Sequence, residues 1–153
     1  MRQIHAKSDC PINFSLETFG DRWSLLILRD IIYFRKKTFN EFLASDEGIA
    51  RNILADRLDR LQKSGILTRK PHPADKRKEL YELTEEGLRL IPLLLELAAW
   101  GATHVPQASL PHEWLQTVQS RPKKVTPLIH KAVGQGESIF VGDNSVIKQL
   151  GIN

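Results

Sequence analysis

Cysteine is almost absent: Cys10 is the single one in 153 residues. That excludes an intramolecular disulfide framework and fits a reducing cytoplasm. Metal-ligand patterns are missing as well. The five histidines, His5, His72, His104, His112 and His130, show no paired spacing and have no cysteine pair to join, so no metal and no other cofactor is expected. No glycine-rich phosphate loop occurs, because "GQGE" at Gly134 lacks both the lysine and the helix context. No Ser/His/Asp arrangement stands on a turn that would expose a nucleophile, and an enzyme is not expected. Long apolar runs are absent too. The richest, "LIPLLLELAAW" from Leu90 to Trp100, is interrupted by Pro92 and Glu96 and falls short of the ~18 residues of a membrane span. "MRQIHAKSDC" carries no apolar region that could serve as a secretion signal, and the expected location is the cytoplasm.

What is present begins with charge. The formal net charge is +4, yet the stretch from Arg35 to Lys78 holds twelve Lys/Arg against six Asp/Glu. Basic charge gathered in one part of a domain suggests an anionic partner, with solvated helix faces as the plainer alternative.

The apolar spacing predicts a mainly α (α+β) protein. Pro11 to Phe19 reads as a short helix, and Gly20-Asp21 as a break in which Asp21 caps the next one. That next helix, "RWSLLILRDIIYF", is apolar nearly all round and belongs at the centre of a core. "TFNE" at Thr38 is a capping box, and "SDEG" at Ser45 a turn. From Ile49, the positions Leu54, Leu58 and Leu61 recur at helical spacing until Ser64-Gly65 ends the helix. "ILTRKPH" and "KELYELT" read as strands flanking the polar loop "PADKR". Thr84 caps a long helix reaching about His104. After a pause come a helix around "PHEWLQTVQS", a short strand at "SIFVG" and a short helix at "NSVIKQLG".

A capped short helix, a turn, an amphipathic helix and a strand-loop-strand make a winged helix-turn-helix with a two-stranded wing and flanking dimerisation helices. Residues 1–105 would form this DNA-binding domain with its dimer helices, and 106–153 a C-terminal helical extension of unknown role. The second helix would enter the major groove of double-stranded DNA with its N-terminal end. Its outward residues suit base reading: Arg51 for guanine, Asn52 for adenine and the Ala55 methyl for thymine. Asp56 would accept from cytosine or orient Arg60. Arg57, closer to the buried stripe, suits packing or a phosphate. Lys36 and Lys37 suit phosphates or a helix dipole. In the wing, Lys76, Arg77 and Lys78 suit backbone or minor-groove contact, with Asp75 orienting Arg77.

From Cys10 to about Trp100 the chain resembles the HxlR-type transcriptional regulators, winged-helix proteins related to the MarR group. The resemblance rests on "CPI" at Cys10, "GDRWSLLILRDI" at Gly20, "FNEFL" at Phe39, "IARNILADRLDRLQKSGIL" at Ile49, "YELTEEG" at Tyr81 and "LAAW" ending at Trp100. It implies a bacterial, homodimeric repressor or activator on an inverted-repeat operator. The family often has serine where Ala50 stands and a basic residue where Asn52 stands, so the operator sequence cannot be borrowed from a relative. In some members a cysteine at the Cys10 position senses oxidants or electrophiles. Arg2 and Lys7 nearby favour a thiolate, whereas Asp9 opposes it.

The helix from Thr84 has more apolar positions than one buried stripe needs, which points to a partner subunit. The interface expected is Ile12 and Phe19 with Leu88, Ile91, Leu94, Leu95 and Ala98. A small-molecule effector between the wing domain and the dimer helices is compatible with this. The alternative function is a winged-helix protein-interaction module that does not read DNA.

Overall fold

The computed structural model describes residues 8–105 and 110–152. Helix α1 (Pro11–Phe19) leads through Gly20 into α2 (Arg22–Phe34), whose first turn is capped by Asp21 accepting from the Trp23 and Ser24 amides. Arg35 closes α2 in the left-handed conformation with φ 60°. Then follow α3 (Phe39–Leu43), α4 (Arg51–Lys63), β1 (Leu67–Pro71) and β2 (Glu79–Leu83). The capping box at Thr38 and Glu41 is present. The two strands pair antiparallel with Leu67 opposite Leu83 and Pro71 opposite Glu79. Sequence reading missed a third member of this ladder: Thr38 bridges Leu80, fastening the start of α3 to the wing.

The long helix expected after Thr84 is two helices, α5 (Glu85–Leu88) and α6 (Ile91–Ala102). Pro92 explains the break. It has no N–H to give to residue 88, and its ring would strike that carbonyl, so it begins a new helix instead. Gly87 holds α5 close to the start of the wing, where an added Cβ would lie 2.3 Å from the Ile66 carbonyl oxygen.

Beyond it come α7 (His112–Ser120), α8 (Pro122–Gly134) and α9 (Val146–Leu150). The short strand expected at Ser138–Gly142 is instead a run of bends. Its backbone serves another element: Ile139 N–H donates to Ile32 O at 2.9 Å and Phe140 N–H to Tyr33 O at 3.1 Å, satisfying carbonyls at the end of α2. Helix α8 was not anticipated. It buries Val125, Ile129, Ala132 and Val133 although Pro127 lies inside it.

One apolar core runs through the molecule, from Ile27 and Leu28 of α2 to Trp114, Ile129 and Ile152 of the C-terminal segment. The boundary near residue 105 is therefore one of sequence rather than of packing. Leu88, Ile91, Leu94 and Leu95 lie within this core, each 6% exposed or less. That corrects their assignment to a dimer interface, because the C-terminal segment supplies the cover that the apolar surplus called for.

Candidate nucleic-acid interface

Helices α3 and α4 are set at their angle by a polar knot beneath the turn that joins them. Asp30, 2% exposed on α2, accepts from Arg29 Nε at 2.9 Å and Lys36 Nζ at 3.0 Å, and also from the Ser45 hydroxyl of the turn. Arg29 also binds Glu47. That hydrogen bond is the main reason the Glu47 carboxyl is pulled down to about 2. A buried carboxylate satisfied on both oxygens is rigid, so Ser45 and Glu47 place α4 accurately. Asp30, Ser45 and Glu47 escaped sequence reading. The available signal was an adjacent Arg29-Asp30 pair in the middle of the apolar stretch of α2.

At the start of α4, Arg51, Asn52, Ala55 and Asp56 are all exposed on one side, while Leu54, Leu58 and Leu61 face inward. The Arg51 guanidinium lies over the Phe39 ring, 5.4 Å from its centre. Ala50, at the N-cap, supplies no side-chain hydrogen bond, so the first amides of α4 keep their donors free of a capping side chain.

Several expected contacts change role. Arg57 donates through Nε to Asp21 at 2.8 Å and is also bound to Asp56. It therefore fastens α4 to the cap of α2 rather than projecting toward a phosphate. Burial opposes ionisation of Asp21, but hydrogen bonds from Ser24 and Arg57 outweigh it and lower its pKa. Asp56 orients Arg57 and not Arg60, which reaches the Glu17 carbonyl at 3.3 Å. Lys36 is drawn into the Asp30 knot. Lys37 turns toward Glu82 of β2 at 3.7 Å. Neither ammonium is presented as a phosphate contact, because a nearer carboxylate holds it.

The wing tip is different. Arg77, with 90% of its side chain exposed, keeps Nε 3.1 Å from Asp75. Lys76 and Lys78 are exposed beside it. Hydrogen bonds from Arg77 are the main reason the Asp75 carboxyl is lowered.

Several large apolar side chains are exposed on α1 and α6. Ile12 is 70% exposed and Trp100 69%, with Leu16, Leu93 and Leu97 also open. Phe19 and Ala98 are half-buried. Leu25, Leu26, Phe34, Leu94, Leu97 and Leu110 contribute to a groove of about 490 Å³. Cys10 stands exposed at the N-cap of α1, and its expected neighbours Arg2 and Lys7 lie outside the described residues.

Residues 18–109 match the family described as HxlR-like helix-turn-helix. The uncharacterized HTH-type transcriptional regulator Rv3095 of Mycobacterium tuberculosis is 37% identical over 97 residues, which is 63% of this chain and 60% of that protein. The chain thus spans less than two thirds of that relative's length. YybR of Bacillus subtilis, also an uncharacterized HTH-type transcriptional regulator, is 33% identical over 98 residues, covering 64% of this chain and 78% of its own. Among solved structures, the transcription factor candidate PA1607 superposes with a TM-score of 0.61 at 35% identity, over 72% of this chain and 75% of that one. The redox regulator HypR in its oxidized form superposes with a TM-score of 0.54 at 29% identity, over 61% of this chain and 96% of its own.

Proposed function

The chain belongs to the HxlR-like helix-turn-helix family, and from that premise we propose that it is a sequence-specific regulator of transcription that binds double-stranded DNA. It acts as a homodimer on an inverted repeat, with one α4 in each of two major-groove segments about one helical turn, ~34 Å, apart. The observation that carries this reading is the exposed set Arg51, Asn52 and Ala55 at the N-terminal end of α4, beside a wing tip bearing Lys76, Arg77 and Lys78. The exposed apolar side chains Ile12 and Leu16 of α1 and Leu97 and Trp100 of α6 support the dimer, since side chains of this size tend to be covered in a working protein.

The test is selection from sheared bacterial genomic DNA by the purified protein at near-physiological salt, with sequencing of what is retained. Recovery of a few fragments sharing an inverted repeat is the expected result. Retention that ignores sequence would count against base reading. A protein-interaction module is the second reading, and it draws on Lys36, Lys37 and Arg57 being paired internally. It predicts no steep loss of DNA binding with salt, whereas the regulator reading predicts that loss.

Cys10 is the residue proposed for a response to oxidation, supported by its exposure. Treating the dimer with a hydroperoxide and reading non-reducing electrophoresis tests it. A Cys10→Ser protein that loses DNA binding on oxidation as the parent does would remove Cys10 from that role. A cytoplasmic location is part of the same proposal.

A further inference from the structure

Between the start of α3 and the tip of the wing lies an open groove of about 570 Å³. Phe39 and Asn40 of α3 line one wall, and His72, Lys76 and Lys78 of the hairpin line the other. The walls keep their spacing, because Thr38 bridges Leu80 and the Tyr81 N–H donates to the Lys37 carbonyl at 2.7 Å. The carboxylates at this groove are already answered. Glu41 Oε2 accepts from the Lys37 and Thr38 amides at 2.9 and 2.8 Å, and Glu79 pairs with Arg69 at 3.2 Å. Arg77 and Lys78 share Asp75, and Lys76 has no carboxylate partner among the described residues.

Two neutral donors complete the groove. Asn40 is exposed, and its side-chain amide makes no hydrogen bond among the described residues. His72 is half-buried, and its Nδ1 accepts from the Ala74 N–H at 3.1 Å. A neutral ring whose Nδ1 accepts carries its proton on Nε2, so the wing turn itself makes His72 a donor there. The groove also adjoins the reading helix: the Phe39 ring that lines it carries the Arg51 guanidinium 5.4 Å from its centre.

We propose that this groove holds the sugar-phosphate backbone of one DNA strand, with the Asn40 amide and the His72 Nε2–H donating to its phosphate oxygens. The strand is the one that separates the major groove read by α4 from the minor groove beside the wing. This proposal rests on the DNA-binding reading above and adds two uncharged contacts to it. Hydrogen bonds to phosphate fix register and orientation without reading sequence. Because α3 and the wing are tied to each other, a strand held between Asn40 and His72 sets which base pair meets Arg51.

The experiment uses the operator recovered by genomic selection, synthesised with one phosphate at a time replaced by an uncharged methylphosphonate. Asn40→Ala and His72→Ala should each weaken the unmodified operator about tenfold, with the preference among single-base variants unchanged. The slope of affinity against salt should stay as in the parent for both, since neither side chain neutralises a phosphate, whereas Lys76→Ala should lower it by about one. At one or two phosphates in each half-site the methylphosphonate should weaken the parent strongly and the Asn40→Ala protein much less. Asn40 bonds to nothing in the chain through its side chain, so Asn40→Ala stays informative even if His72→Ala disturbs the wing turn. Full affinity in both variants, a changed base preference, or no phosphate coupled to either residue overturns the proposal while leaving DNA reading intact. A protein that retains no DNA in the selection overturns both, so the two failures are distinguishable.

Discussion

Arg51 and Arg57 stand on one helix and do different work. Arg51 is exposed at the first position of α4, and Arg57 is clasped by Asp21 and Asp56. Arg51→Ala should cost about 1–3 kcal/mol of binding to the selected operator and relax the preference at one base pair. Competition binding against a set of single-base variants checks this, and an equal loss on every sequence would leave only a phosphate contact. Arg57→Ala should instead lower thermal stability by about 1 kcal/mol and leave the base preference unchanged. The sequence made Arg51 legible because it stands at the very start of α4, ahead of the buried stripe of Leu54, Leu58 and Leu61, and because a guanidinium suits guanine. It could not show Arg57's tether. Asp21 was readable as a cap, but its second partner depends on how α2 and α4 cross.

Elements were read well where local chemistry defines them. The bounds of α2, the capping box of α3 and the glycine stop after α4 all follow from short-range signals. Helix α8 did not, since Pro122 and Pro127 obscure a pattern that burial of Val125 and Ile129 enforces. The knot under the α3–α4 turn gives an element-level prediction. Glu47 titrates near 4.5 when free of its fold and at about 2 here, so the native state holds fewer protons between those values. Its stabilising effect is complete above about pH 4.5 and is lost as the pH falls toward 2. Glu47→Gln should melt below the parent at neutral pH, and the gap should close on acidification. A gap that stays constant with pH would assign the loss to shape rather than charge. Gly87→Ala tests the wing root, because its Cβ would collide with the Ile66 carbonyl. A loss of about 1–3 kcal/mol in urea denaturation is expected. At the wing tip, Arg77→Ala should weaken binding on all sequences and flatten the salt dependence, while an unchanged slope would detach the wing from DNA.

For the whole molecule, sequence reading found the apolar surplus but assigned it to the wrong neighbour. Leu88, Ile91, Leu94 and Leu95 are covered from within, and the apolar side chains left exposed for the proposed second copy include Ile12, Leu16, Leu97 and Trp100. Trp100→Glu should give a monomer by light scattering with its helical circular dichroism retained; a persistent dimer would place the interface elsewhere. The closure of α2 by residues 139–140 has a consequence for how the protein is made. A chain emerges from the ribosome N-terminus first, so α1 to β2 are complete while the last carbonyls of α2 still await partners more than a hundred residues downstream. The nascent protein thus passes through an interval in which α4 exists but the core is open to water, and the arrival of Ile139 and Phe140 brings that interval toward its end.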